Sequence, residues 1–256
     1  MAFIKCELHS KFMALQTTVN IIIPEKLREK KTAEKYPVLY LLHGLTDDQN
    51  AWSRNTSIER YVEDKEVIVV MPWGGHSFYT NMKYGQKVYS YITEELPRFC
   101  EQMFPVSGRS EDKFVAGLSM GGYGAFKLAL SKPGSYAAAA SLSGALDITN
   151  LMSRENVNMW NDLPDAIYGK NAFPSPEKDD LFAMVEKNLK NGVQLPEMYM
   201  ICGTEDFLYE DNARFAEHLQ KLGMKATIRW ESGVHDWKFW DKYIQEVLEW
   251  LPLKQL

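Results

Sequence analysis

The chain has 256 residues, 45% of them hydrophobic, enough to bury a full core as one α/β domain. A formal net charge of -5 with no basic stripe argues against a nucleic-acid partner. Cys6, Cys100 and Cys202 are widely spaced and form no C-x-x-C pair, and no apolar run reaches the length of a signal core or a bilayer span; the expectation is a soluble cytoplasmic protein that does not enter membranes.

The first elements are two β-rich stretches at 3–8 and 13–23. The charged segment 25–35 reads as a solvated loop. Residues 38–42 and 67–71 are nearly all apolar and are bounded by Pro37, Gly44 and Pro72, which suits strands buried on both faces of a parallel sheet. A helix is expected over 58–64 between them. Over 89–104 the apolar residues Tyr89, Ile92, Leu96, Phe99 and Met103 recur at three-to-four spacing, which predicts an amphipathic helix that Pro97 kinks or restarts.

Further strands are expected at 114–118, 138–142, 198–202 and 226–230, with helices after 118, over 212–222 and at the C-terminus. Alternation of strands and helices predicts a mostly parallel central sheet covered by helices on both faces. Residues 147–195, rich in Asn, Asp, Pro and Met, break that rhythm and read as a small cap insertion within one domain spanning 1–256.

Gly117-Leu118-Ser119-Met120-Gly121 lies between an apolar run and a helix-like run. It has the form of a nucleophile elbow, in which a serine sits on a tight strand-to-helix corner and small residues flank it to avoid the neighbouring backbone. A serine hydroxyl needs a base to take its proton, and the base needs a carboxylate to fix its tautomer. With this elbow the chain order is Ser, acid, His. Two histidines follow Ser119. His218 falls in a helical stretch and reads as a surface residue, whereas His235 follows the last expected strand, at the end of the sheet where such folds bind ligands. For the acid, Asp206 follows strand 198–202, with Glu205, Asp147 and Asp236 as rivals; Asp236 is better placed to cap the terminal helix.

The oxyanion hole of such a site takes one N–H from the residue after the nucleophile and one from the loop after an earlier strand, here Met120 and Leu45. His43 in that loop reads as a hydrogen-bonding support, since no second ligand stands at a zinc-like spacing from it. The pattern calls for no metal and no cofactor. Aromatic residues crowd the surrounding loops, and Trp52, Tyr123, Trp160 and Trp237 are candidates for lining a substrate pocket, beside Trp73, Phe78, Tyr79 and Tyr84. Lys83 and Lys127 read as solvated lysines.

Leu41-Leu42-His43-Gly44-Leu45, Tyr89-Ser90-Tyr91-Ile92-Thr93-Glu94-Glu95-Leu96-Pro97, Ala116 through Ala125, Gly203-Thr204-Glu205-Asp206 and Val234-His235 together resemble the esterase D family. That family includes S-formylglutathione hydrolase, tributyrin esterases and related acetyl and feruloyl esterases, and the resemblance is closest to the bacterial tributyrin esterase-like branch. It implies an α/β-hydrolase fold with a serine triad at Ser119, Asp206 and His235 and the Leu45 and Met120 amides as oxyanion donors. Pro72-Trp73-Gly74-Gly75-His76 departs from the S-formylglutathione hydrolases, as does Tyr123, which stands where they typically carry His.

The expected function is hydrolysis of short-chain acyl esters by a serine carboxylesterase acting on small molecules, with a homo-oligomer compatible. S-formylglutathione hydrolysis and acetyl or feruloyl ester cleavage use the same machinery. A non-catalytic binding protein on this scaffold is the alternative from another class; such proteins usually lose the nucleophile or the base, and both stand here.

Overall fold

Among the described residues, eight strands carry the apolar runs of the sequence into one sheet: Ala2–Ser10 (β1), Leu15–Ile23 (β2), Val38–Leu42 (β3), Ile68–Pro72 (β4), Lys113–Leu118 (β5), Ala138–Leu142 (β6), Glu197–Gly203 (β7) and Thr227–Glu231 (β8). The structure is a computed structural model that describes residues 1–28, 34–153 and 162–253. The strand order is β1-β2-β4-β3-β5-β6-β7-β8, with β1 and β2 antiparallel to their neighbours and every pair from β4 to β8 parallel. β3, β4 and β6 are buried at every residue, because helices cover both faces of the sheet.

Alternate residues of each strand feed two cores. Val38, Tyr40 and Leu42 join the core under helices Leu96–Met103, Met120–Ser131, Leu181–Lys190 and Tyr209–Lys221. Leu39 and Leu41 point the other way, into the core under Ala51–Asn55, Ile58–Tyr61 and Trp237–Trp250. β3 marks the place where the chain changes direction across the sheet, since β4 lies on one side of it and β5 on the other. Loops leaving β3 and β5 therefore converge at their C-terminal ends, where open parallel sheets form their clefts.

Two expectations about local structure need correcting. Residues 25–35 are not all loop: Glu25–Arg28 makes one helical turn, because Leu27 is apolar and packs into the core with its amide donating to Pro24 O at 3.1 Å. The helix expected over 58–64 stops at Tyr61.

Pro97 does restart its helix. A π-helical turn, Tyr91–Glu95, precedes Leu96–Met103, and the Leu96 amide reaches back five residues to Tyr91 O. Proline has no N–H for the carbonyl four residues earlier but fits a first helical turn, so the wider turn absorbs the mismatch.

Within 147–195 lie the helices Ile148–Ser153, Leu163–Tyr168 and Leu181–Lys190. The segment just before the last of these folds over helix Met120–Ser131 and changes the reading of Lys127. That lysine is buried, not solvated: its Nζ lies 2.7 Å from Asp179 Oδ1, with side-chain exposures of 3% and 6%. A buried ammonium persists only when paired in this way. Lys83 is exposed as expected.

Candidate active site

Ser119 occupies the corner between β5 and helix Met120–Ser131 with φ 52° and ψ -119°, a left-handed conformation that costs a side-chain-bearing residue about 1–3 kcal/mol. The corner is held by its own hydrogen bonds: the Ser119 amide donates to Leu142 O at 2.9 Å, and its carbonyl accepts from Tyr123 and Ala145. The flanking glycines are dictated by contact. A Cβ on Gly117 would lie 2.4 Å from Gly121 O, and one on Gly121 would lie 2.5 Å from Leu42 O and 2.7 Å from His43 O. The elbow thus presses directly against the backbone of the loop after β3.

His235 Nε2 lies 3.0 Å from Ser119 Oγ, and its Nδ1 lies 3.0 and 2.9 Å from the two carboxylate oxygens of Asp206. Nδ1–H donates to the carboxylate, which leaves Nε2 to accept from the serine hydroxyl. Asp206 also accepts the Leu208 amide at 2.9 Å and its side chain is fully buried, so the carboxylate has one fixed orientation.

The turns carrying these two residues are interlocked. Thr204 and Glu205 amides donate to Glu231 O and Gly233 O, and the Gly233 amide donates to the Glu205 carboxylate at 2.6 Å. The Gly233 amide above all, then the Thr204 and Ser232 side chains, bond to the Glu205 carboxylate and lower its pKa below the usual range. A Cβ on Gly203 would lie 2.1 Å from Gly233 O, so glycine is required for the turns to meet.

His43 anchors the opposite wall. Gly74 N–H donates to its Nε2 at 2.8 Å and its Nδ1 is 2.7 Å from Gly44 O. Burial pushes the imidazole pKa down to about 4, so the ring is neutral with its proton on Nδ1. Because the peptide is planar and trans, holding the Gly44 carbonyl toward Nδ1 turns the Leu45 N–H the other way. The preceding carbonyls are held too: Trp52 Nε1–H donates to Leu42 O and Tyr79 O–H to His43 O, both at 3.0 Å. Met120 opens its helix, where the first amides have no partner within the helix.

The other expected pocket residues scatter. Trp52 and Tyr123 are core residues, 1% and 0% exposed, and each spends its polar tip on a main-chain carbonyl, Tyr123 on Asp179 O at 2.8 Å. Trp237 is half-buried and packs edge-on against Trp52 and Trp240. Trp160 lies outside the described residues. Phe78 and Tyr79 are buried and Tyr84 is exposed.

Among the rival acids, Asp147 pairs with Arg214 at 2.8 Å and Asp236 caps helix Trp237–Trp250 through the Phe239 amide. His218 sits 3.4 Å from Glu186, away from Ser119's hydrogen-bond chain. Among the described residues no three His, Cys, Asp or Glu side chains gather as metal ligands. Sequence reasoning did not single out Phe207, whose ring lies against His235 with centroids 4.5 Å apart. Its place beside Asp206 in sequence is the only signal it gave.

Residues 10–251 match the model of a family described as putative esterase. An acetyl esterase of Caldicellulosiruptor saccharolyticus is 29% identical over 262 residues, covering 98% of each chain. Two solved Staphylococcus aureus structures are similar over 98% of each chain: fluorophosphonate-binding serine hydrolase F, with substrate bound (35% identity, TM-score 0.90), and an S-formylglutathione hydrolase (32% identity, TM-score 0.84).

Proposed function

The chain belongs to this putative-esterase family and is a carboxylic ester hydrolase of the α/β-hydrolase fold, and on that premise we propose that Ser119, His235 and Asp206 cleave its substrates through an acyl-enzyme. Ser119 Oγ attacks the ester carbonyl while His235 Nε2 takes its proton, and Asp206 stabilises the imidazolium through Nδ1–H. The tetrahedral oxyanion is received by the Leu45 and Met120 amides, each such donor being worth about 3 kcal/mol of barrier. Collapse breaks the bond to the alcohol oxygen, which leaves with the proton from Nε2. Water, deprotonated by the same nitrogen, then attacks the acyl-enzyme and releases the acid and the free serine.

The observation that carries this reading is the unbroken hydrogen-bond chain from Ser119 Oγ through His235 to Asp206, with spacings of 2.9–3.0 Å. Turnover of p-nitrophenyl acetate and butyrate is its test. Wild type hydrolyses both and is labelled by a fluorophosphonate probe, and Ser119→Ala does neither; equal rates in the two proteins would overturn the assignment.

S-formylglutathione hydrolysis is the second reading, favoured by the 32% identical staphylococcal enzyme. Comparing kcat/KM on S-formylglutathione, acetylated xylo-oligosaccharides and simple acetates separates the substrate classes. Free thiols at Cys6, Cys100 and Cys202 support a reducing, cytoplasmic setting. No helix among the described residues is long and apolar enough to cross a membrane.

A further inference from the structure

Two apolar residues flank the acid and the base in sequence and remain exposed: Phe207, next to Asp206, at 64%, and Val234, next to His235, at 49%. The Phe207 ring packs on the His235 imidazole at 4.5 Å between centroids and an interplanar angle of 55°. His235 has a second aromatic neighbour in Trp240, centroids 4.8 Å apart and perpendicular, which is 5% exposed and belongs to the core. Trp240 therefore supports the ring from within, while Phe207 packs on the same imidazole and presents most of its surface to solvent.

We propose that Phe207, with Val234, is the surface on which the alcohol part of the ester binds, and that it selects apolar alkyl or aryl leaving groups over polar ones. The proposal rests on His235 as the proton carrier. To be protonated as it departs, the alcohol oxygen must lie within about 3 Å of Nε2. Its substituent is then held close to the imidazole, and Phe207 is an exposed apolar side chain packed on that ring. The acyl part is fixed elsewhere, by the oxyanion donors on the side of the β3 and β5 loops. A phenyl face offers ring stacking and contact with alkyl groups but no hydrogen bond to a sugar hydroxyl or to the charged groups of a glutathione moiety, so these are the leaving groups it disfavours.

Benzyl and methyl acetate share the acyl group and have alcohols of similar basicity, so the ratio of their kcat/KM values, which reports acylation alone, isolates binding of the alcohol. Wild type favours benzyl acetate, and Phe207→Ala lowers the benzyl-to-methyl ratio roughly tenfold, the size expected for one lost aromatic contact. The ratio of methyl butyrate to methyl acetate stays at its wild-type value, because the acyl side is untouched. Phe207→Leu, which keeps an apolar surface, recovers part of the benzyl preference. A benzyl-to-methyl ratio that is the same in wild type and Phe207→Ala overturns the proposal, whether the two rates fall together or neither falls. Hydrolysis persisting in Ser119→Ala is a separate result, which would sink the assignment of the triad and not the leaving-group surface alone.

Discussion

Gly74 donates its amide hydrogen to His43 Nε2, and this one bond decides which nitrogen of a buried imidazole carries the proton. With Nε2 occupied as an acceptor, Nδ1–H is committed to Gly44 O, and the Gly44–Leu45 peptide is held with its N–H turned away from His43. The loops after β3 and β4 are thereby tied together through a buried side chain.

His43→Leu removes both bonds and frees that peptide to rotate. Loss of one oxyanion donor costs about a hundredfold or more in kcat, so kcat falls by that order while KM changes little. Steady-state kinetics on p-nitrophenyl butyrate check this, with circular dichroism to show that the variant is folded. A wild-type kcat would mean that His43 does not orient the Leu45 amide.

The same ring makes the fold acid-sensitive. Its pKa is lowered from 6.5 to about 4 by burial, so between those values the unfolded chain binds a proton that the folded chain refuses. The stabilisation is complete above pH 6.5 and is lost as pH falls from there toward 4, with a slope of up to about 1.4 kcal/mol per pH unit. Urea denaturation at pH 7 and pH 4.5 measures it, and in His43→Gln this contribution to the difference between the two conditions disappears.

Asp206→Asn leaves His235 with a neutral amide that can impose the wrong tautomer, and kcat drops by about 10⁴. Asp147→Asn instead weakens only the contact to Arg214 and the first turn of helix Ile148–Ser153, so kcat stays at the wild-type level. Assaying the two variants side by side distinguishes Asp206 from the rival that follows the preceding strand.

Lys127→Ala strands the buried Asp179 carboxylate and destabilises the protein by about 3–5 kcal/mol, while Lys127→Met combined with Asp179→Leu recovers much of that loss. Chemical denaturation of the single and double variants provides the measurement. If the single variant unfolds like wild type, the pair is not buried in solution.

The sequence announces what local chemistry enforces. Strands β3 and β6 appear in it to the residue, because their nearly unbroken apolar runs have no use outside a doubly covered sheet. The hydrogen-bond chain that joins Ser119, His235 and Asp206 is foreshadowed because each residue follows a recognisable strand, in the order an acyl-transfer site would use. Lys127 was misread since Asp179, its partner, is 52 residues away and nothing local marks the pairing. Trp52 and Tyr123 were equally ambiguous: an aromatic in a loop or early in a helix looks the same whether its tip reaches a ligand or a carbonyl. The support that His43 draws from Gly74 depends on how two loops meet and has no signature in either one.

The contact between Gly203 and Gly233 makes the acid-bearing turn and the base-bearing turn a single mechanical part. An inserted residue in either would push the other out of line, so neither can be lengthened to reshape the mouth of the cleft without separating Asp206 from His235. Redesign of this enzyme toward bulkier substrates has to work through single side chains at that part, Phe207 first among them.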